Sequence, residues 1–350
     1  MNKHGGYLGD NAAMLDFSIN INPLGMPEGV RQAILEAVDT LGRYPEITGV
    51  SARDKLAADV GVAPEQLILG NGAIELIYLF VKSLRPRRAM IVTPTFNEYA
   101  RALAMNADCQ IRTFQLSPED DFYLDPEKFC ADIKSWRPEV IFICNPNNPT
   151  GKLLDGGLLA EIMLACPESV RWFIDESFIE FSGAAGCLDF LKTNQRELFL
   201  LRSLTKFFGV PGLRIGYGVG SPEIVKAMAA HKEPWTINAL ALAAAKVVYD
   251  DDAYIEKTRR NIQTERQRVR TAVQGLSGIK VYESAADFHL YGIDGSTAEL
   301  QKRLNAKNIN VRTCEDFPGL EAHFFRAAIK NPRDNDRFIA ALSEILGEQE

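Results

Sequence analysis

Short apolar runs alternate with amphipathic stretches through the middle of this 350-residue sequence. The runs are mostly continuous rather than alternating in polarity, which is typical of strands buried on both faces. Strand–helix alternation of this kind predicts a mainly parallel sheet covered by helices. In such sheets ligands bind beyond the carboxyl ends of the strands, so polar residues that follow a run are candidate site residues. The predicted strands are 88–92, 111–115, 140–144, 172–174, 198–201 and 215–219.

The pattern changes near residue 238, where a long charged stretch without Pro or Gly predicts a helix that runs to about residue 275. Short strands and further helices follow it, which indicates a smaller α+β domain. The first 25 or so residues are rich in Gly, Asn and Pro and predict an extended arm. The later predicted strands are 280–282, 288–293, 311–313 and 324–329. We expect an arm at 1–30 that joins the small domain, a large domain at 31–240 and a small C-terminal domain at 241–350.

The composition argues against several classes of protein. The net charge is −7 at pH 7, whereas a nucleic-acid-binding surface needs a basic excess. No apolar run reaches the roughly 18 residues that a membrane span requires, and the N-terminus has no apolar signal-peptide core. The six cysteines form no CxxC pair and the four histidines are scattered, which favours free thiols in a reducing compartment and argues against zinc. We expect a cytoplasmic protein that binds no nucleic acid, membrane or metal.

Lys206 is the most informative single residue because it closely follows the predicted strand 198–201. A buried ammonium is costly, and desolvation lowers the pKa of a lysine and makes it a usable amine nucleophile. Ser203, Thr205 and Arg214 are close in sequence, and two hydroxyls with two cations suit a bound phosphate. Taken alone, Lys206 fits a surface position just past a strand better than a buried one.

Three further segments stand at the ends of predicted strands. Asp175 follows the strand at 172–174, where a carboxylate needs a cationic partner unless it caps a helix or forms a surface salt bridge. The Asn- and Pro-rich segment 145–151 predicts either a rigid turn that presents an amide at the ligand edge of the sheet or a plain turn. At 70–73 a strand passes through glycines into an apolar helix, whose first N–H groups suit an anion.

With these four segments in this order, the sequence resembles the fold-type I enzymes that use pyridoxal 5′-phosphate (PLP), in the aminotransferase superfamily around histidinol-phosphate aminotransferase. The resemblance covers nearly the whole chain and implies an α/β fold and a homodimer with active sites at the subunit interface. It implies that Lys206 binds PLP covalently and that Asp175 faces the pyridine nitrogen. Asn148 would donate to the phenolic oxygen, and Phe178 stands where many relatives have a tyrosine that donates to the same oxygen.

The resemblance extends to the rest of the cofactor and substrate sites. It implies that Phe96 stacks on the cofactor ring and that Tyr44 reaches the cofactor phosphate of the neighbouring subunit. Arg326 would bind the α-carboxylate of the substrate, which Asn148 would also contact. The positions that match the phosphate cradle are Gly72, Ala73, Ser203, Thr205 and Arg214.

A closer resemblance is to the family of decarboxylases that act on L-threonine O-3-phosphate. It implies release of CO2 and (R)-1-aminopropan-2-yl phosphate in cobalamin biosynthesis. We expect Lys206 to be the proton donor to Cα, with a tyrosine or water as the alternatives. The substrate phosphate would be bound by Arg312 with help from His4, Gly6 and Asn22. A histidinol-phosphate-type aminotransferase and a decarboxylase of L-serine O-phosphate remain the alternatives. The segments that carry this resemblance are 4–6, 15–25, 86–94, 202–207, 312–314 and 317–320.

Overall fold

The computed structural model describes residues 4–7, 9–194 and 196–347 of the chain. Its strands form a seven-stranded sheet, a four-stranded sheet and a two-stranded pair. The strands are β1 (Leu15–Asp16), β2 (Leu67–Asn71), β3 (Arg88–Thr93), β4 (Gln110–Gln115), β5 (Val140–Cys144), β6 (Arg171–Asp175), β7 (Leu198–Ser203), β8 (Ile215–Val219), β9 (Ile279–Val281), β10 (Phe288–Ile293), β11 (Ile309–Asn310), β12 (Arg312–Thr313) and β13 (Phe324–Ala328).

Helices connect and cover these strands, and several begin at caps that the sequence provides. Asp125 and Asp155 accept hydrogen bonds from the first N–H groups of the helices that follow them, as N-cap residues do. The helices are α1 (Glu28–Val38), α2 (Val50–Val60), α3 (Gly72–Leu84), α4 (Glu98–Ala104), α5 (Pro126–Trp136), α6 (Gly156–Ala165), α7 (Ile179–Ser182), α8 (Leu188–Thr193), α9 (Leu204–Phe207), α10 (Pro222–Ala229), α11 (Ala239–Ala245), α12 (Asp252–Gln274), α13 (Thr297–Ala306) and α14 (Pro332–Gly347).

The large sheet has the strand order β2-β8-β7-β6-β5-β3-β4. Strand β8 runs antiparallel to both neighbours, and the remaining pairs are parallel. Its centre is apolar on both faces, since Phe142 and Phe173 join one hydrophobic cluster while Ile141 and Trp172 join another. The mainly parallel sheet and all six strands predicted for it are therefore confirmed.

Strand β4 departs from the expectation that every run is buried on both faces. Most of its side chains are exposed, and β3 is the neighbour with which it pairs in the sheet order. An edge strand lacks the second neighbour and the helix cover that bury a central strand. The prediction of burial was therefore wrong for 111–115, although the strand itself is present.

The helix predicted over 238–275 is two helices, α11 and α12. The side chain of Asn238 accepts a hydrogen bond from the N–H of Ala241, and that of Asp251 accepts one from the N–H of Tyr254. Each polar residue therefore caps a new helix, and the chain turns between them. The prediction relied on the absence of Pro and Gly, which does not detect a break made by an aspartate cap.

The C-terminal strands form the antiparallel sheet β12-β13-β10-β9, and α12 and α14 pack together beside it. The N-terminal segment joins this part of the chain, because β1 pairs in parallel with β11 and the N–H of Phe17 donates to the carbonyl of Asn310 at 2.8 Å. The described contacts agree with an arm that joins the C-terminal part, while the domain boundaries near 30 and 240 stay a prediction.

A buried ion pair fastens the ends of β6 and β7. Arg202, near the end of β7, donates to Glu176 just after β6, with Nη2–Oε2 2.6 Å and Nε–Oε2 2.8 Å. Glu176 is fully buried and also accepts from the N–H of Cys187 at 2.7 Å. The pair holds the two strand ends that carry Asp175 and Ser203.

We expect Arg202→Met to lower the free energy of unfolding by about 3–5 kcal/mol, because removing one partner leaves a buried charge uncompensated. The measurement is urea unfolding of the cofactor-free protein at pH 7. Arg53→Met is the control, since Arg53 pairs with Asp54 on the surface and such pairs contribute about 1 kcal/mol or less. Equal losses in the two variants would contradict a structural role for the buried pair.

Candidate active site

A cavity of about 850 Å³ lies at the carboxyl ends of β5, β6 and β7. Its walls include Cys144, Asp175 and Ser203, the last residues of these three strands. Parallel strands end at the same edge of a sheet, which explains why distant segments meet here. The predicted site residues that line the cavity are His4, Ala73, Phe96, Asn148, Asp175, Ser203, Thr205, Lys206, Arg214, Arg312 and Arg326.

Lys206 lies in α9, directly after β7. Its Nζ donates to Ser203 Oγ at 2.9 Å and lies 5.5 Å from the centre of the Phe178 ring. Burial lowers the pKa of Lys206, Arg214 adds to that effect, and Asp175 opposes it. An amine with a lowered pKa can act both as a nucleophile and as a carrier of a proton.

Asp175 is only 4% exposed and is held by two donors. Its Oδ2 accepts from the hydroxyl of Tyr99 at 2.6 Å, and its Oδ1 accepts from the N–H of Ser177 at 2.9 Å. Burial and the charge of Asp175 raise the pKa of Tyr99 well above its usual range, so Tyr99 remains a donor. The sequence analysis missed Tyr99, because nothing local shows that a tyrosine of α4 meets the end of β6.

The start of α3 forms an anion cradle with the segment after β7. Gly72 has a φ of +71°, and a Cβ there would lie 2.3 Å from Nη2 of Arg214, so both conformation and space require glycine. Ser203 Oγ and Thr205 Oγ1 lie 2.9 Å apart. The N–H of Ala73 at the helix start, two hydroxyls and a guanidinium therefore converge, as a phosphate site needs.

Arg326 approaches the cavity from β13 and connects three parts of the chain. Its Nη1 donates to Asn148 Oδ1, and its Nη2 donates to the carbonyl of Ser18 at 2.8 Å. Its guanidinium lies 5.2 Å from the centre of the Phe288 ring. Burial, with a contribution from Arg312, lowers the pKa of Arg326 to about 10, so it remains a cation at neutral pH.

Arg312 lies on the same wall, and its Nη2 donates to both carboxylate oxygens of Asp316 at 2.9 and 2.8 Å. His4, from the arm, lies with Nε2 3.1 Å from Oε1 of Glu98. Glu98 also lines the cavity. The sequence analysis missed it, because Phe96 was the residue of this segment to which it assigned a role.

Gly72 abuts Arg214 of the cradle, as described above, and three other predicted residues lie outside the cavity. Asn22 does not line the cavity: its Nδ2 donates to the carbonyl of Phe207 at 2.7 Å and its N–H donates to the carbonyl of Lys206 at 3.1 Å. The amide of Asn22 thus holds the Lys206 segment, and its predicted contact with the substrate stays a prediction. Gly6 is also outside the cavity, and its N–H donates to Ser18 Oγ at 2.8 Å, which fixes the arm.

Tyr44 is the third of these residues. It is 86% exposed and its ring packs against Trp235 with 5.3 Å between centroids. It is outside the cavity of its own chain, as a residue that serves another subunit must be. Its predicted contact with a neighbouring cofactor stays a prediction.

The profile of the family described as Aminotransferase class I and II matches residues 12–342 of the sequence. The chain belongs to this family. Threonine-phosphate decarboxylase of Salmonella typhimurium is 38% identical over 338 residues, which are 95% of this chain and 91% of that protein. Among aminotransferase-family structures, that of histidinol-phosphate aminotransferase from Clostridium acetobutylicum has a TM-score of 0.89 at 31% identity, covering 96% of this chain and all of that one.

A third family relative comes from Leptospira interrogans, whose adenosylcobalamin biosynthesis bifunctional protein CobDQ is 34% identical over 340 residues. The match covers 95% of this chain and 39% of that longer protein. The fold-type I architecture and the resemblance to threonine-phosphate decarboxylases are thus confirmed for this aminotransferase-family chain.

Within the described residues of this aminotransferase-family chain, no three His, Cys, Asp or Glu side chains lie where they could hold a metal ion together. No helix in the same part of the chain is both long and apolar enough to cross a membrane.

Asp287 is a buried carboxylate on which the charge of Arg326 acts, and it was not identified from the sequence. It is fully buried, and no other described residue donates a hydrogen bond to either of its carboxylate oxygens. Burial raises the pKa of Asp287 from 3.8 to about 7, although Arg326, Lys330 and Lys206 favour its charged form. Between these two values the folded chain binds more protons than the unfolded chain, so Asp287 makes stability fall as the pH rises.

We expect Asp287→Asn to stabilise the cofactor-free protein at pH 8 by about 3–4 kcal/mol, the equivalent of roughly three pKa units. At pH 4 the difference shrinks to well under about 1 kcal/mol, because Asp287 is then protonated in the folded state and roughly half protonated in the unfolded chain. Chemical unfolding at the two pH values measures both quantities. A variant that is equally or less stable at pH 8 would show that the native carboxylate has a stabilising partner.

Proposed function

We propose that this chain is a PLP-dependent decarboxylase of L-threonine O-3-phosphate that forms (R)-1-aminopropan-2-yl phosphate and CO2 in cobalamin biosynthesis, in the cytoplasm. One observation carries the substrate class. Arg312 and Arg326 lie directly opposite each other on β12 and β13, so their side chains share one face, and both line the cavity. Two neighbouring arginines suit a small substrate with two anionic groups, here a carboxylate and a phosphate.

The described residues fit PLP. The cradle formed by Ala73, Ser203, Thr205 and Arg214 would hold its phosphate, and the close approach of Gly72 to Arg214 leaves no room for a Cβ. Asp175, held by Tyr99, would face the ring nitrogen and favour its protonated form. When bound, PLP supplies a sink for the electrons released at Cα of an amino acid.

The residues of the chain then have separate tasks. Arg326 binds and orients the substrate carboxylate, and Asn148, which accepts a hydrogen bond from Arg326, couples that orientation to the cofactor site. Lys206, whose pKa burial lowers, holds and delivers the proton that Cα needs after CO2 leaves. Arg312 binds the phosphate, and His4 of the arm also lines the cavity.

We expect the purified protein to release CO2 from L-threonine O-3-phosphate and Lys206→Ala to reduce that rate by at least about 10³-fold, because the nucleophile and the proton carrier are lost together. The measurement is CO2 release under saturating PLP, and Lys192→Ala, at the end of α8, is the control. Transfer of an amino group from histidinol phosphate to 2-oxoglutarate without CO2 release would overturn the proposal in favour of an aminotransferase.

The choice between phosphothreonine and phosphoserine depends on one methyl group. A hydrophobic contact of that size discriminates by about 1–3 kcal/mol. We therefore expect both compounds to react, with a kcat/KM ratio of about 10- to 100-fold in favour of phosphothreonine. Decarboxylation of the two compounds side by side gives the ratio directly.

We also propose a homodimer in which Tyr44 reaches the cofactor phosphate of the partner. Large apolar side chains of α1 and the segment that follows it are exposed, including Leu35, Leu41 and Ile47. They stand beside Tyr44 in sequence, and the N–H of Trp235 donates to the carbonyl of Ile47 at 3.0 Å. Exposed apolar side chains grouped in one segment support an interface between subunits.

Mixing two inactive variants tests this arrangement. In a dimer of Tyr44→Ala with Lys206→Ala, one site has an intact Lys206 and receives an intact Tyr44 from the other subunit. We expect an equal mixture, after subunit exchange, to recover up to about a quarter of wild-type activity. If Tyr44 served its own subunit, no mixed dimer would contain an intact site, and the mixture would show only the activity of the separate variants.

A further inference from the structure

Glu98 is a buried carboxylate in the cavity wall that the proposed reaction does not use. It is the first residue of α4, lines the cavity and is only 5% exposed. A buried carboxylate is costly unless hydrogen bonds and opposite charges compensate it. The arrangement around Glu98 therefore indicates a task at this end of the cavity.

Two kinds of partner hold Glu98. From the rigid helix α3, the hydroxyl of Tyr78 donates to Oε2 at 2.5 Å, and burial together with Glu98 raises the pKa of Tyr78 to about 12, so it remains a donor. On the other oxygen, His4 Nε2 lies 3.1 Å from Oε1, and Nη1 of the exposed Arg101 lies 3.4 Å from it. Glu98 thus links the arm, through His4, to helix α3, through Tyr78.

The same segment also reaches the other cavity wall. Asn97, next to Glu98, donates through Nδ2 to the carbonyl of Asp316 at 3.1 Å and to its Oδ2 at 3.3 Å. Asp316 accepts in turn from Arg312. Glu98 with His4 and Asp316 with Arg312 are therefore two acid–base pairs at one end of the cavity.

We propose that Glu98 is a positioning and specificity-determining residue, which holds His4 of the arm against the cavity so that this end accepts a phosphate. The proposal rests on the proposed function for the identity of the phosphate. It means that the carboxylate of Glu98 favours phosphate binding only while His4 is present. Without His4, Glu98 would keep only Tyr78 and the exposed Arg101 as partners, and more of its negative charge would act on the phosphate and repel it.

The test is a double-mutant cycle with Glu98→Gln and His4→Ala, read as kcat and KM for L-threonine O-3-phosphate. Glu98→Gln keeps the size and the acceptor for Tyr78 but removes the charge. We expect it to raise KM about tenfold with kcat changed less than about twofold, the loss of one charge-assisted hydrogen bond. In the His4→Ala background the sign reverses, and adding Glu98→Gln lowers KM.

A second readout does not depend on catalysis. The amides of Gly6 and Tyr7 donate to Ser18 and Asp16, and hydrogen exchange of the holoenzyme reports whether the arm stays docked. We expect faster exchange at these amides in Glu98→Gln and, to a smaller extent, in Tyr78→Phe. Asp59→Asn, which removes a surface carboxylate paired with Lys55, is the control and leaves KM and exchange unchanged.

An unchanged KM in Glu98→Gln, or a double variant with a higher KM than His4→Ala alone, would overturn the positioning role. Unchanged arm exchange in Glu98→Gln would do so too, even if the substrate assignment is right. Failure of the proposed function shows differently, as a wild-type protein that releases no CO2 from threonine phosphate. In that case exchange still decides whether Glu98 holds the arm.

Discussion

Asp175 and Lys206 stand together because β6 and β7 pair in parallel in a single register. In that register Asp175 lies beside Leu201, so the lysine five residues later turns back over the strand end through α9. The neighbouring strand β5 ends at the same level, since the N–H of Asn145 donates to the carbonyl of Asp175 at 2.7 Å. A shift of one residue would turn Asp175 away from the cavity, and the Arg202–Glu176 ion pair just below opposes such a shift. The rest of the site is arranged around this fixed pair of strand ends.

The sequence predicts most of the central sheet because the central strands of a parallel sheet are buried on both faces. Such strands appear in the sequence as continuous apolar runs. A charge at the end of a buried run makes Lys206 and Asp175 candidates, but only the four segments taken together, with the family resemblance, single them out as site residues. The sequence does not predict Tyr99, Glu98 or Asp287, whose importance comes from a partner far away in the chain. Nor does it predict that the amide of Asn22 donates to the carbonyl of Phe207 and to the hydroxyls of Tyr254 and Thr258. The local sequence pattern indicates that a side chain is buried, whereas the tertiary fold determines which other residues it contacts.

The electrostatics of the cavity divide along the two sheets. The large sheet provides Asp175 and the anion cradle, which suit one cofactor. The C-terminal sheet provides Arg312 and Arg326, placed opposite each other, and the buried Asp287 interacts electrostatically with Arg326. Two cations side by side repel, and a nearby acid whose pKa lies near neutrality limits that repulsion without forming a permanent ion pair that would compete with a substrate carboxylate. A charged Asp287 lowers the free energy of unfolding above neutral pH, and this loss is consistent with a site that is arranged to bind an anion.

This division explains how relatives with different activities can share the part of the site that the large sheet provides. Under the proposed function, Lys206, Asp175 and the cradle would allow an amino acid to be activated at Cα, but they would not determine which bond at Cα breaks. That choice depends on the orientation in which the substrate is bound. The residues proposed to bind it belong to the C-terminal sheet and to the arm, and the pairing of β1 with β11 connects the arm to the C-terminal part. Arg326 connects the two halves, because it donates to Asn148 on one side and to the carbonyl of Ser18 on the other. A carboxylate bound at Arg326 is thus positioned by the arm and the cofactor loop together, so the identity of the group at the far end of the substrate, near His4 and Arg312, can influence the orientation at Cα.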